Sequence, residues 1–311
     1  MAETLATYSV PEHYVKMYTE NVQAVLQKKG GLLRSTVSIG AYHGDKCQVV
    51  NFIGTVEFTE RTSVYADTKL TELEHTQKWI TGKEYDCAVL VDRLDTLKMI
   101  YDPTSPYVER FREAAARRED EIIMGKFFAD VKVGVDGTGT SVFNSGLTTV
   151  VAEGGTGMSV AKLRSLRKLM KKRHIDLRSS RPMIAVTADE ADALLAEVAV
   201  ASADYNAVKP LVDGEVSAFM GFTFIPYEDN GTVDYTNGKG IPVTTSGGNI
   251  TRHCPAWVME GMHLGNWDGL AISIDKRPDK NNIQQIHGHF MMGATRLEEG
   301  KVFSLDVRVT P

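Results

Sequence analysis

The stretch that decides the fold reads Tyr101-Asp-Pro-Thr-Ser-Pro-Tyr-Val-Glu-Arg110-Phe-Arg-Glu-Ala-Ala-Ala-Arg-Arg-Glu-Asp120-Glu-Ile-Ile-Met-Gly-Lys-Phe-Phe-Ala-Asp130-Val131. Apolar side chains recur at Val108, Phe111, Ala115, Ile122 and Ile123, the spacing of a helix with one buried stripe. Around them lies a dense mixed-charge face of Arg110, Arg112, Glu113, Arg117, Arg118, Glu119, Asp120 and Glu121. Ser105 suits the N-cap and Pro106 the first helical turn. A helix over 106–129 is roughly 36 Å long at 1.5 Å per residue. With so little apolar surface, such a helix is expected to lie as a spine along another element.

The segment before it, 54–98, is unusual. It opens on the strand-like Thr55-Val-Glu-Phe-Thr59 and closes on Cys87-Ala-Val-Leu-Val91, with a middle rich in Thr, Lys, Glu and Asp. Two strands around a long polar middle predict a protruding hairpin. A loop of that length is out of place inside a compact domain, so the arm is expected to pack on something other than its own domain.

Other elements follow from periodicity and capping. A first helix is expected over 13–28, ended by Gly30-Gly31, with an extended region over 32–51. A second helix is expected over 159–173, capped by Ser159. A short buried strand over 182–187 leads into a third helix, with Thr187 and Glu190 as a capping box. Strands are expected on either side of Gly221 and over 269–274, 283–290 and 302–309; 230–248 reads as loop. The class is α+β, mixed, without βαβ regularity.

Composition narrows the function. The 311 residues are 42% hydrophobic and 24% charged, with net charge −5, which fits a globular core and argues against a chain that binds nucleic acid by its overall charge. Cys47, Cys87 and Cys254 are scattered, which argues for a reducing compartment. The start lacks a basic, then apolar, signal pattern. No apolar run reaches the ~18 residues that span a bilayer. Secretion by the general route and membrane insertion are therefore not expected.

Searches for catalytic constellations mostly fail. The loop Gly154-Gly-Thr-Gly157 precedes a helix, but the lysine–hydroxyl pair of a phosphate loop is missing; a turn is expected. His287 and His289 share a face if 286–290 is a strand, and His253 and Cys254 are the only candidates to complete a metal site; solvated or core histidines are expected. The second helix carries Lys162, Arg164, Arg167, Lys168, Lys171, Lys172 and Arg173 with no acid from Ser159 to Ile175. It reads as a solvated face with Val160, Leu163, Leu166 and Met170 inward, a reading compatible with non-specific phosphate contact. Glu119 and Asp120 point apart as helix neighbours, so ion pairs within or between chains are expected.

The order of parts resembles that of tailed-bacteriophage major capsid proteins with the Hong Kong 97-type fold. The resemblance rests on Gln27-Lys-Lys-Gly-Gly-Leu-Leu-Arg34, Gly54 and the polar arm, Ala66-Asp-Thr68, the stretch 86–92 with Asp95, Asp102-Pro103, Ala115-Ala-Arg117-Arg-Glu-Asp120, the strand over 181–187 with its helix, 214–222 ending in Met220-Gly-Phe, and Met292-Gly-Ala-Thr-Arg296. It covers about Tyr14 to Val309. It implies an N-terminal arm over 1–53, an extended loop over 54–98, a peripheral domain with the spine helix over 99–158, an axial domain over 159–265, and strands over 266–311 returning to the peripheral domain.

The resemblance also implies hexamers and pentamers closing an icosahedral shell around packaged double-stranded DNA, in the virion after assembly in the host cytoplasm. It implies a separate scaffold protein and a portal, no cofactor, no membrane and no catalytic residues. Contacts between subunits are expected through Glu57, Arg61, Lys69, Glu72, Arg112, Arg117, Arg118 and Glu119, and DNA-facing contacts through Lys162, Arg164, Lys168, Lys171 and Lys172. Two other readings compete: an encapsulin-like compartment shell, and a metal-dependent enzyme built on the histidines.

Overall fold

A computed structural model describes residues 30–54, 72–73, 75–91, 104–177, 179–197, 218–228, 240–246 and 248–309, with isolated positions 56, 58, 60 and 63. The helix expected over 13–28 lies outside them. In chain order the elements are β1 (Ser38–Ala41), β2 (Lys46–Ile53), β3 (His75–Thr81), β4 (Lys83–Val91), α1 (Thr104–Met124), β5 (Val131–Val133), β6 (Gly139–Ser141), β7 (Val150–Val151) and α2 (Val160–Lys172). Then follow β8 (Met183–Val186), α3 (Ala188–Ala196), β9 (Ala218–Phe219), β10 (Phe222–Pro226), β11 (Val243–Ser246), β12 (Asn249–Trp257), β13 (Met262–Arg277), β14 (Ile283–Arg296) and β15 (Val302–Val309). None of the described helices is long and apolar enough to cross a membrane.

The spine is α1, but it differs from the sequence expectation at both ends. It starts at Thr104, so Ser105 is inside the helix, and it stops at Met124. Its 21 residues span about 31 Å at 1.5 Å per residue. The backbone leaves the helix at Gly125 because Phe127 turns inward and is fully buried beside Trp257, ring centroids 4.6 Å apart. The charged face is also narrower than expected: Glu119 and Asp120 are buried.

The chain forms two compact units. The smaller holds 84–117 and 268–291 among its described residues, together with Gly30. Its strands run in the order β13-β14-β4, over a small core of Val91, Phe111 and Ile286. Asn281 and Asn282 both take left-handed φ between β13 and β14, a conformation that asparagine tolerates better than most residues. Gly30 lies against α1: a Cβ there would sit 2.3 Å from the amide nitrogen of Arg117, so only glycine fits.

The larger unit holds the described residues within 31–83, 118–267 and 292–309. Its main sheet runs β7-β15-β12-β8-β10-β9, with β11 added on β12. The spine of this sheet is the antiparallel β12–β15 pair, in register from Ile250↔Val309 to Trp257↔Val302. β8 and β10 pair in parallel around α3, a βαβ crossover that the sequence reading did not foresee. A second sheet runs β2-β3-β5-β6, and β1 pairs in parallel with the start of β13. The core gathers Ile123, Met124 and Phe127 after the middle of α1, Leu163, Leu166 and Met170 from α2, and Cys254, Ala256 and Trp257 from β12.

Buried polar groups fix the register of this core. Arg252 donates to Thr187 Oγ1 at 2.7 Å and to Glu190 Oε1 at 2.6 Å, while the Glu190 carboxylate accepts the Thr187 amide at 2.9 Å. The expected capping box is thus present and tied to β12. Arg296, with no exposed surface, donates to the carbonyls of Phe127 and Ala129 at 2.7 and 3.0 Å. These carbonyls follow the end of α1, where a cation is also favoured by the helix dipole.

Replacing Arg296 with Met strands those carbonyls and the nearby Glu299. A loss of roughly 3–5 kcal/mol is expected, read as a lower urea midpoint. His263 gives a pH test. Its ring lies between Ser38 Oγ and Tyr42 Oη, each 2.8 Å away, and burial holds its pKa below the ordinary 6.5. The folded state therefore binds fewer protons there than the unfolded state, and stability is lost as pH falls below about 6.5. The thermal midpoint should drop between neutral and mildly acidic buffer, and less so in His263→Gln.

Candidate functional site

The arm grows from β2 and β3. They pair antiparallel from Lys46↔Thr81 to Ile53↔His75, with an irregularity between Gln48 and Val50. This corrects the expected stem. The second stem strand is β3; Cys87–Val91 belongs to β4, beyond Gly82. β3 escapes sequence reading because a lysine holds an inward position: Lys78 and Ile80 are the buried residues of the strand. The segment joining the stem strands is therefore 54–74. At its root the chain exposes apolar side chains: Ile53 at 62%, Val56 at 54% and Phe58 at 103%. Glu57, Arg61 and Lys69 lie outside the described residues, and Glu72 is exposed.

On α1 the predicted contact residues divide. Arg112 is exposed and Arg117 half-buried. Arg118 pairs with Glu121 at 2.7 Å. Glu119 is engaged within the chain, accepting Arg34 Nη1 at 2.8 and 3.1 Å. Burial pushes its carboxyl above the ordinary value, and Arg34 opposes that shift. Asp120 accepts the amides of Leu32 and Leu33 at 3.1 and 2.9 Å. A pattern of charges along a helix does not reveal which carboxylate serves distant backbone.

α2 begins as expected: Ser159 Oγ accepts the Lys162 amide. The amide of Val160 donates to the Glu197 carboxylate, so a carboxylate of the same chain already occupies the place a phosphate would take. Gly154 and Gly155 have left-handed φ, as the expected turn requires. Val160, Leu163, Leu166 and Met170 are buried. Of the five predicted DNA-facing residues, Arg164, Lys168, Lys171 and Lys172 are exposed. Lys162 is not part of that face. It is buried, its ammonium donating to the carbonyls of Thr156 and Asp306 at 2.7 and 2.9 Å, and burial lowers its pKa.

The exposed cations rim a shallow depression floored by Met220 and Arg167. Met220 and Gly221 both have positive φ at the turn between β9 and β10, a geometry that suits a two-residue hairpin. Arg167 Nη1 donates to the Met220 carbonyl at 2.8 Å, fastening that turn to the helix.

The histidines do not assemble a metal site. His287 and His289 stack, centroids 5.4 Å apart. His253 is engaged on both ring nitrogens, by Asp306 Oδ1 at 2.7 Å and Thr244 Oγ1 at 2.8 Å. Cys254 is fully buried, and burial raises its thiol pKa. Among the described residues there is no cluster of three or more His, Cys, Asp or Glu placed to hold a metal.

Comparison with known proteins places the chain in a family. The chain belongs to the phage capsid protein family, whose model matches residues 10–309. No curated protein matches it by sequence. Among solved structures, the capsid of the Cyanophage P-SCSP1u is similar with a TM-score of 0.68 at 14% identity, over 94% of this chain and 93% of that one. The mature capsid of bacteriophage PhiM1 gives 0.69 at 12% identity, over 96% and 93%. The capsid of the native GTA particle gives 0.65 at 14% identity, over 98% and 99%. The fold is thus of the Hong Kong 97 type expected from the sequence.

The two kinds of lysine on α2 should separate experimentally. Lys162→Met, which removes the ammonium's two buried bonds to the carbonyls of Thr156 and Asp306, is expected to cost about 1–3 kcal/mol. Lys168→Met on the exposed face should change stability by no more than about 0.5 kcal/mol. Urea midpoints of the two variants make the comparison.

Proposed function

We propose that the chain is the major subunit of an icosahedral phage shell, assembling as hexamers and pentamers around packaged double-stranded DNA. Family membership supports the structural role, and the arm root carries the mechanism. Ile53, Val56 and Phe58 place apolar surface in water where the described chain does not cover it. Exposed apolar surface of this kind marks an interaction site. Burying it on a neighbouring copy stabilises the neighbour pair, and a specific interface of ~1,600 Å² total is the usual scale. Repeated around a ring, individually weak contacts add up through multivalency, and closed symmetry stops their growth.

In this reading 1–53 is the N-terminal arm. The extended loop is taken over 54–98, and the pairing of β2 with β3 supports 54–74 as the segment that reaches the neighbour. The regions 99–158 and 266–311 form the peripheral domain, and 159–265 the axial domain. Arg112, Arg117, Arg118 and Glu72, with Glu57, Arg61 and Lys69, orient the contact; charge of mixed sign serves register more than affinity. Glu119 acts through Arg34 inside the subunit. Assembly takes place in the host cytoplasm with a scaffold protein to set shell size and a portal for DNA entry. The work of the protein is mechanical, and no residue is assigned to catalysis.

Replacing residues 56–72 with a short Gly-Ser turn leaves β2 and β3 intact. The variant should remain soluble, with its thermal midpoint close to that of the unaltered chain, yet form no shells by electron microscopy when scaffold is supplied. Shells of normal size from this variant would refute the arm's role, and unfolding would place the segment in the core.

A further inference from the structure

We infer that Thr244, an exposed threonine on β11, is a nucleophilic hydroxyl primed to take an acyl group from a small activated acyl donor. The chemistry is one that the shell reading does not use, and it stands without that reading. Three strands assemble the site. β11 pairs antiparallel with β12, Thr244 opposite Thr251, and β12 pairs with β15, His253 opposite Asp306. Side chains alternate along a strand. Arg252 and Cys254 therefore turn into the core, where both are buried, and His253 turns to the other face with Thr251. Thr244 and Asp306 share that face as cross-strand neighbours. The sheet thus lays a hydroxyl, an imidazole and a carboxylate in a row across β11, β12 and β15.

The hydrogen bonds give the row a direction. His253 Nδ1 lies 2.7 Å from Asp306 Oδ1, and Nε2 lies 2.8 Å from Thr244 Oγ1. A carboxylate only accepts, so Nδ1 carries the ring proton. Nε2 of the neutral ring is then the acceptor, and Thr244 donates its O–H to it. A hydroxyl aimed at a base whose far nitrogen is held by a carboxylate is the arrangement that activates a weak nucleophile. The row is also held from behind. Ser304, buried, donates to the same carboxylate oxygen at 2.6 Å, and its amide donates to the Thr149 carbonyl at 2.9 Å. The His253 amide donates to the Pro242 carbonyl at 2.7 Å, which sets β11 beside it. The hydroxyl end is the open one: Thr244, Thr245 and Ser246 are exposed, while His253 and Asp306 are half-buried.

The backbone supplies a further group. Paired residues on antiparallel strands alternate between hydrogen-bonded and open positions. Since His253 bonds to Pro242, Thr244 faces Thr251 in a bonded position, and the Thr245 amide points away from β12. Among the described residues β11 pairs with no strand on that side. The amide following the nucleophile is thus turned outward, where it can meet a developing oxyanion. In the step, Thr244 Oγ1 forms a bond to the acyl carbon and its proton passes to His253 Nε2. The bond from that carbon to the leaving group breaks, and the leaving group departs with the proton returned by Nε2. Thr244 is left as an ester, and nothing is oxidised or reduced. Asp306 stays ionised and faces the transient imidazolium. Because Thr244 lies on exposed sheet surface, the site selects for a good leaving group and a small acyl chain more than for shape.

The test treats the full-length protein with nitrophenyl acetate at neutral pH. Nitrophenolate release gives the rate, and peptide mapping gives the acetylated residue. Hydroxylamine cleaves a threonine ester and spares the amide of an acetylated lysine, so the two products separate. Thr245 is the internal control: it is exposed too, is next in sequence and alternates to the opposite face. General-base assistance is worth about 10²–10⁴-fold, so the ester at Thr244 should form at least about 100-fold faster than at Thr245. His253→Gln should bring Thr244 down to the rate of Thr245. Thr244→Val should abolish the hydroxylamine-labile label in the peptide holding β11, and Thr244→Ser should restore it.

Equal ester formation at Thr244 and Thr245 in the unaltered chain would overturn the inference. So would an undiminished rate in His253→Gln, or label confined to lysines. The ratio of the two threonines, read within one folded chain, decides the matter if His253→Gln does not fold. A purely structural role for the row predicts a lower urea midpoint in the variants and equal labelling of the two threonines. Electron microscopy of the same samples keeps this chemistry apart from the shell reading. Shells that form with no ester at Thr244 refute the inference and leave the shell standing, and an ester without shells supports the inference and counts only against the shell.

Discussion

The carboxylate of Asp120 sets the path by which the chain enters β1. It lies on α1, almost fully buried, and accepts the backbone amides of Leu32 and Leu33. Beside it Glu119 holds Arg34. A buried carboxylate without donors is costly, and one with two amides is satisfied in only a narrow set of geometries. The pair therefore fixes where the chain lies just before β1. From there Thr36 offers its carbonyl to the indole of Trp257, and Ser38 enters the parallel pairing with β13. Leu33, anchored by its amide, joins the main core with no exposed surface.

A second buried charge closes the other end. Arg296 takes the carbonyls beyond α1, stacks over Phe143 at 5.2 Å, and lies 3.7 Å from Glu299. Glu299 also receives Ser141 and approaches Lys78 at 3.5 Å. Lys78 is the inward lysine of β3, so the network reaches from the end of the spine to the stem of the arm. Buried ion networks add little net stability compared with apolar packing, and removing one member is expensive. Their effect here is positional: the strand that launches the arm has one register relative to α1. Gly293 tightens the same corner, since a Cβ there would meet the Thr81 carbonyl at 2.3 Å.

These contacts explain what the sequence disclosed and what it hid. Three motifs that carried the family resemblance now have physical causes. Gly30 to Arg34 is a close approach followed by two amide donors and a guanidinium; Ala115 to Asp120 supplies their partners; Met292 to Arg296 supplies the cap. Helices α2 and α3, with Ser159 and the Thr187–Glu190 box, were legible because capping and periodicity are local. The end of α1, the stem strand β3 and the burial of Lys162 were not, because each depends on a partner more than a hundred residues away: Trp257 for Phe127, Glu299 for Lys78 and Asp306 for Lys162. β12 was hidden for a related reason. No element was expected there, because its arginine and histidine at 252 and 253 break an apolar strand pattern, and their partners Glu190 and Asp306 lie far away in sequence.

Among the described residues several buried charges are thus used internally, while the arm root exposes apolar side chains and the outer face of α2 exposes cations. The arm root is apolar, and salt that screens charges leaves its burial intact or strengthens it. The face of α2 is cationic, and salt screens it. Copies of an acidic chain repel one another as their number grows, so the driving force between them has to come from the apolar surface, with mixed charges setting direction.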